Sequence, residues 1–197
     1  MKISHLYATA VILLMFFTIS LPASAQSLDE KEDKDEQEEI LPGDIAPDFT
    51  ATDMDGNEFS LHEDASELPV VIDFWATWCP PCVMEFPLLE DFHQAHEGEV
   101  TVLAVTSEDT DNEQEINDFL EENDVTFRII HDPSREIMEQ YYVRAIPFVV
   151  VVDTSGTVVA THLGYSPEIR ETLEEDLGLE PADYPPIEEE EEEDEEE

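Results

Sequence analysis

Two cysteines, Cys79 and Cys82, are the only ones in this 197-residue chain, and they lie three positions apart in the segment Trp78-Cys79-Pro80-Pro81-Cys82. A bridge between them would close almost no loop, so it cannot stabilise the chain as a disulfide scaffold does. An isolated pair at this spacing serves either redox chemistry or metal binding. Disulfide exchange needs a thiolate, and an ordinary cysteine thiol with a pKa of about 8.5 is mostly protonated at neutral pH.

The residues around the pair predict a strand followed by a helix. Residues 70–75 form a run that is apolar on both faces, as in a central strand, and a helical pattern follows over residues 80–96. Cys79 then lies where strand gives way to helix, with Pro80 at the first helical position. Unpaired N–H groups and the positive end of the helix dipole stabilise a thiolate there. We therefore expect Cys79 to attack and Cys82, one turn further, to resolve the mixed disulfide.

The rest of the domain alternates strand and helix patterns, which predicts parallel pairing through βαβ units, while a late hairpin adds antiparallel strands. The expected fold class is α/β, a mixed central sheet flanked by helices. The remaining predicted elements are a hairpin of residues 49–52 and 58–61, strands at 100–106, 125–130, 148–152 and 157–162, and helices at 113–123, at 135–142 (capped by Ser134) and from Pro167 to near Gly178.

Both ends of the chain differ from this domain in composition. Lys2 and His5 precede an apolar run over residues 6–21 and an Ala-x-Ala site, which predicts an export signal cleaved after Ala25. An uncleaved membrane anchor is the alternative, and a lipoprotein is excluded because no cysteine follows the run. We expect residues 26–39 to be an acidic disordered linker, residues 40–180 one domain, and residues 181–197 an acidic disordered tail.

The charge balance is extreme, with 7 basic against 52 acidic residues and a net charge of −45. Nucleic-acid binding is excluded because phosphate would be repelled. Residues 29–39 and 188–197 hold 18 of the acids, which leaves 34 against four arginines and no lysine in between. Such self-repulsion destabilises a compact state unless salt screens it. The acid-rich, lysine-poor composition predicts a halophilic source.

The stretch over residues 74–82 resembles the active-site segment of thioredoxin-fold proteins, and in particular the extracytoplasmic TlpA/ResA-type thiol-disulfide oxidoreductases of the redoxin superfamily. Residues 42–49, Asp55-Gly56 and Glu85-Phe86-Pro87 carry the same resemblance. It implies a thioredoxin-like fold with an N-terminal β-hairpin and an inserted αβ unit at residues 113–130. It also implies a monomeric enzyme without a cofactor that exchanges protein disulfides through a Cys79–Cys82 disulfide.

The same resemblance suggests a reductant that acts on proteins such as apocytochromes c and is itself reduced by a membrane electron donor. It implies that Ile146-Pro147 is a cis peptide that pairs with a partner's extended chain, and that Trp78 is a lid and partner contact. Asp73 matches the buried acid that relays protons to the resolving cysteine in thioredoxins; many TlpA-type proteins lack it. Glu85 matches an acid that tunes the cysteines. The alternatives are an acid tolerated at the strand edge for Asp73 and a plain surface glutamate for Glu85.

Two other functions remain as alternatives. A thiol peroxidase activates its cysteine with a hydroxyl residue three positions earlier, but that position is Ala76, and Thr77 lies one residue too late. A non-catalytic copper-binding module would need ligands besides the cysteine pair. His93 and His96 share a helix at i, i+3, but the other histidines are scattered, so we expect no metal site.

Overall fold

The computed structural model describes residues 39–187. The predicted export signal, residues 26–38 of the linker and residues 188–197 of the tail lie outside this range. In chain order the elements are β1 (Thr50–Thr52), β2 (Glu58–Ser60), α1 (Leu61–Ala65), β3 (Val70–Trp75), α2 (Pro80–Ala95), β4 (Thr101–Thr106), a 3₁₀ turn (Thr110–Asn112), α3 (Glu113–Glu122), β5 (Arg128–His131), α4 (Glu136–Gln140), β6 (Phe148–Val152), β7 (Val158–Leu163) and α5 (Ile169–Leu177).

A five-stranded mixed sheet with the strand order β5-β4-β3-β6-β7 forms the centre of the domain. β3, β4 and β5 run parallel, while β6 and β7 are antiparallel to their neighbours. β3 is the middle strand, and all six of its residues are buried, which explains its run of apolar residues. The cysteine pair therefore follows the most central strand of the sheet.

Side chains alternate between the two faces of β3 and so supply two separate cores. Val71 and Trp75 belong to the core beneath α2, together with residues of α3 and α5. Ile72 and Phe74 belong to the opposite core, together with residues of α1, α4 and the β1–β2 hairpin. Helices thus cover both faces of the sheet, and the predicted fold class is confirmed.

The N-terminal hairpin forms a small antiparallel sheet of its own. Its turn is closed by Asp53, whose Oδ1 accepts the backbone N–H of Asn57 at 2.7 Å and of Asp55 at 3.1 Å. Such a side-chain acceptor favours the Asp-Gly-Asn turn that the sequence predicts. The short helix α1, which follows β2 directly, is not predicted from the sequence because five residues are too few to show a helical period.

Several predicted boundaries differ from the structure. The strand expected from residue 125 begins at Arg128. The predicted Ser134 cap is wrong: Arg135 lies at the N-cap of α4 with a left-handed backbone. Asp132 instead accepts the first N–H groups of that helix, from Glu136 at 3.1 Å and Ile137 at 2.9 Å. The sequence cannot show this because the carboxylate reaches past the turn that separates it from the helix.

The first residues of the predicted tail contact the domain. Glu174 Oε1 on α5 accepts the backbone N–H of Ala182 at 2.7 Å and the hydroxyl of Tyr184 at 2.8 Å, and His96 Nε2 lies 3.1 Å from the same oxygen. Burial raises the pKa of Glu174, but these hydrogen bonds outweigh it and bring the pKa below its usual value. Contacts with the domain therefore extend past the predicted boundary at residue 180. Among the residues described here, no helix is long and apolar enough to cross a membrane.

Candidate active site

A disulfide joins Cys79 and Cys82 at the start of α2, immediately after the turn that leaves β3. Cys79 is the N-cap residue of this helix, and 4% of its surface is exposed, against 0% for Cys82. Pro80 and Pro81 carry no N–H, so the first amide donor of α2 belongs to Cys82. That N–H donates to Cys79 Sγ at 3.3 Å. The helix thus directs its first donor at the sulfur that must carry negative charge in disulfide exchange.

Two carboxyl groups, Asp73 of β3 and Glu85 of α2, are completely buried under this helix. Neither makes a hydrogen bond of good geometry within the described residues. Burial raises the pKa of Glu85 to about 7, partly opposed by the nearby backbone N–H of Ser166. Burial also raises the pKa of Asp73 well above its ordinary value, and the Glu85 charge raises it further. The structure therefore places two acids with raised pKa values in the core that also holds the cysteine pair.

The Ile146–Pro147 peptide bond is cis, and it comes directly before β6. In the sheet Phe148, the residue after Pro147, is paired with Phe74, near the carboxyl end of β3. The cis peptide and the cysteine turn thus meet at the same end of neighbouring strands. The register between β3 and β6 alone brings together the cysteine turn and the cis peptide, which lie more than sixty residues apart in the chain.

Two large apolar side chains close in sequence to the start of α2 are exposed. Trp78 is 69% exposed and Met84 is 54% exposed, although both belong to the cysteine turn or the helix that follows it. Met84 is a candidate contact that sequence reasoning missed, since a methionine within a helix gives no sign of facing solvent.

The histidines of the helical pair have separate surroundings. His96 contacts Glu174 and Tyr184, whereas the ring of His93 lies edge-on to Phe127, with centroids 6.1 Å apart. Within residues 39–187, no three His, Cys, Asp or Glu side chains are grouped so that they could hold a metal ion.

Glu108 is a further residue at this end of the sheet that sequence reasoning missed. Its carboxylate accepts the backbone N–H of Thr77 at 2.7 Å and the Thr77 hydroxyl at 2.9 Å. The signal that could have found it is its position two residues past β4, because the carboxyl ends of adjacent parallel strands converge at one edge.

Comparison with known proteins agrees with this geometry. The family model described as Redoxin matches residues 41–177. The chain belongs to the Redoxin family. It is 32% identical over 131 residues to sporulation thiol-disulfide oxidoreductase A of Bacillus subtilis, covering 64% of this chain and 76% of the relative. It is also 32% identical over 145 residues to thiol-disulfide oxidoreductase ResA of Bacillus thuringiensis, covering 73% of this chain and 80% of the relative.

A solved structure of a thiol:disulfide interchange protein, DsbE of Chlorobium tepidum, superimposes with a TM-score of 0.63 at 29% identity, covering 70% of this chain and 95% of the other. Together these likenesses confirm the ResA-type resemblance and the thioredoxin-like fold. This Redoxin protein is accordingly an enzyme of the thiol-disulfide oxidoreductase class, and it contains a Cys79–Cys82 disulfide.

Proposed function

We propose that this protein exchanges disulfides with other proteins through its Cys-Pro-Pro-Cys motif, with Cys79 as the nucleophile and Cys82 as the resolving cysteine. The observation that carries the proposal is the position of Cys79. It caps α2, its sulfur accepts the first N–H of the helix, and it retains more exposed surface than Cys82. A partner can therefore approach Cys79, and the helix stabilises its thiolate.

In the reducing direction, the Cys79 thiolate attacks one sulfur of a protein disulfide and forms a mixed disulfide. The other substrate sulfur leaves as a thiolate and takes up a proton. Cys82, deprotonated, then attacks Cys79 Sγ, the Cys79–Cys82 disulfide forms, and the second substrate thiolate leaves. The substrate gains two electrons and two protons, and a dithiol donor must reduce the enzyme again.

Asp73 and Glu85 support the second step. A buried carboxylate with a raised pKa is a stronger base than an exposed one, so it can take up a proton from a thiol. We assign Asp73 as the relay that accepts the Cys82 proton as Cys82 attacks. Glu85 tunes the cysteine pair through Asp73, because the ionisation of Glu85 raises the pKa of Asp73.

Two features of the surface support recognition of an extended protein chain. The cis peptide at Ile146-Pro147 lies beside the cysteine turn, where the backbone of Ile146 can pair with a partner strand. Trp78, which is mostly exposed, covers the approach to Cys79 and contacts the partner.

The setting of this activity follows from sequence features outside the described residues. The export signal, cleaved after Ala25, supports a location in the periplasm or at the cell surface, followed by an acidic linker, the domain and an acidic tail. We propose that the protein acts there as a reductant, with apocytochromes c among its substrates and a membrane protein as its donor. The net charge of −45 supports work at high salt.

Reduction of insulin by the full chain, in molar KCl with a dithiol donor, tests the proposal. The wild type should accelerate reduction, and Cys79→Ser should abolish the acceleration. Cys82→Ser should accumulate mixed disulfides with partner proteins, because the resolving thiol is missing. An inactive wild type, or a Cys79→Ser variant that retains full activity, would contradict the assignment.

A further inference from the structure

The turn that presents Cys79 is attached to the neighbouring strand. β3 and β4 are parallel, and their last residues, Trp75 and Thr106, are paired. Thr77 and Glu108 therefore each lie two residues beyond the end of a strand, at the same edge of the sheet. The carboxylate of Glu108, which follows β4, therefore lies against the backbone of Thr77, which follows β3 and is 31 residues away in sequence.

Both carboxylate oxygens of Glu108 accept hydrogen bonds from this turn. Oε1 accepts the Thr77 N–H at 2.7 Å, and Oε2 accepts the Thr77 hydroxyl at 2.9 Å. Longer contacts of 3.4 Å come from the Thr106 hydroxyl and the Asn112 amide. The side chain is 5% exposed, so water competes little for these bonds. Hydrogen bonds to a buried carboxylate are among the stronger ones in proteins.

The backbone of Glu108 is held as well. Its carbonyl oxygen lies 2.8 Å from His131 Nε2, at the end of β5. Within the described residues, Glu108 thus connects the carboxyl ends of three adjacent strands. The backbone of Glu108 is thus held independently of its contact with Thr77, which is the arrangement expected of a residue that supports a reactive segment.

None of these contacts involves sulfur. In the disulfide form the Cys79–Cys82 bond itself fixes Cys79 at the start of α2. When that bond is reduced, Cys79 is held by the chain on either side, and on its N-terminal side the turn is anchored by Glu108 through Thr77. The Cys79 N–H donates to Ala76 O at 3.1 Å within the same turn. The anchor is therefore needed most in the dithiol form.

We propose that Glu108 is a positioning residue for thiol–disulfide exchange, whose carboxylate holds the turn at residues 76–78 so that reduced Cys79 stays at the N-terminus of α2. This inference rests on the proposed role of Cys79 as the nucleophile. Glu108 acts through Thr77 and touches no reacting atom in the structure.

The chain supplies a matched control. Glu90, which is 7% exposed, also accepts both the backbone N–H and the hydroxyl of one threonine, Thr126. This second Glu–Thr pair joins the middle of α2 to the segment before β5. It lies outside the cysteine turn and has no role in the proposed chemistry. Loss of either pair should lower stability, but only loss of the Glu108 pair should alter Cys79.

The test compares Glu108→Ala with Glu90→Ala in the full chain. The first readout is the alkylation rate of Cys79 against pH in a reduced Cys82→Ser background, and the second is the rate of insulin reduction with both cysteines present. Glu108→Ala removes both hydrogen bonds to Thr77, so it should shift the alkylation profile to higher pH and slow insulin reduction by about tenfold or more, tenfold being the loss expected for a single charge-assisted hydrogen bond. Glu90→Ala should leave both readouts at the wild-type level.

The Glu108→Gln variant tests whether Glu108 acts through its hydrogen bonds to Thr77 or through its charge. Glu108→Gln keeps an acceptor for the Thr77 N–H, and its amide can donate to the Thr77 hydroxyl, so it should stay within about threefold of the wild type. A Glu108→Gln variant as slow as Glu108→Ala would overturn positioning as its role. So would alkylation profiles that are identical for wild type and Glu108→Ala.

A conservative pair covers the case in which the alanine variants do not fold. Thr77→Val and Thr126→Val each remove one hydroxyl donor and keep the backbone N–H. Thr77→Val should shift the alkylation profile in the same direction as Glu108→Ala, and Thr126→Val should not; equal profiles for these two variants would overturn the proposal. If the wild type fails to reduce insulin, the proposed function fails, while the alkylation comparison still decides the role of Glu108.

Discussion

Replacement of Glu85 by glutamine offers a direct measure of how strongly the domain opposes a buried charge. The Glu85 side chain is completely buried, and its oxygens have no hydrogen bond of good geometry within the described residues. Glutamine keeps nearly the same shape and cannot ionise. The pH dependence of stability in the two proteins should therefore differ by the titration of Glu85 and by its effect on the pKa of Asp73.

The magnitude follows from the pKa of Glu85, which burial raises from an ordinary value of 4.5 to about 7. Because the folded pKa is raised, the folded state binds the proton more tightly than the unfolded state does. The stability that this proton contributes is fully present below pH 4.5 and is lost progressively as the pH rises to about 7. A difference of about 2.5 pH units corresponds to roughly 3 kcal/mol at 25 °C.

Urea unfolding of the oxidised proteins, measured from pH 4 to pH 8 in molar KCl, gives the required comparison. Between about pH 4.5 and pH 7.5 the free energy of unfolding of the wild type should fall by roughly 3 kcal/mol relative to Glu85→Gln. Asp73 is present in both proteins, but the Glu85 charge raises its pKa, so the difference between the two curves includes the interaction of this pair. Glu99→Gln, at an exposed position, is the control and should run parallel to the wild type. Parallel curves for wild type and Glu85→Gln would refute the conclusion that burial governs this carboxyl group.

Four other predictions concern the surface, the core and the solvent. Trp78→Ala should slow reduction of insulin more than reduction of a small aromatic disulfide, because only the protein reaches the exposed ring; equal losses would contradict its role as a partner contact. Leu89→Ala, at a fully buried position on α2 in the core between that helix and the sheet, should lower the free energy of unfolding by about 3 kcal/mol in urea titrations. Tyr184→Phe removes the hydrogen bond to Glu174 and should destabilise the protein by about 1 kcal/mol, whereas a fully solvated C-terminal segment would give no change. Thermal melts should show a higher midpoint in molar KCl than in dilute buffer, because salt screens repulsion among the acids; equal midpoints would contradict the salt-dependent stability.

Local sequence determined the strand and helix that carry the cysteines. A run that is apolar on both faces can be buried only in the middle of a sheet, and Pro80 and Pro81 fit the start of a helix, so β3 and α2 were predicted within one residue of their observed ends. Composition likewise determined the extreme negative charge. Short elements such as α1, and the capping of α4 by Asp132, were missed because their determinants are single contacts rather than patterns.

The burial of Glu85 was decided only by the tertiary structure. The predicted central strand includes Asp73, but no pattern in a chain with 52 acidic residues marks Glu85 as an acid that is fully buried. Their raised pKa values come from the apolar core that β3 and α2 enclose together. The resemblance to known oxidoreductases pointed to both residues, but the physical cause of their altered ionisation is the packing around them.

Register decided the remaining parts of the site. The pairing of Phe74 with Phe148 brings Ile146-Pro147 beside the cysteine turn, and the pairing of Trp75 with Thr106 brings Glu108 to Thr77. Such pairings depend on which strands become neighbours and on how far each is shifted, and neither is encoded in the periodicity of a single segment. The sequence by itself determined the cysteine pair and its place between a strand and a helix, and the folded sheet decided which groups lie around that pair.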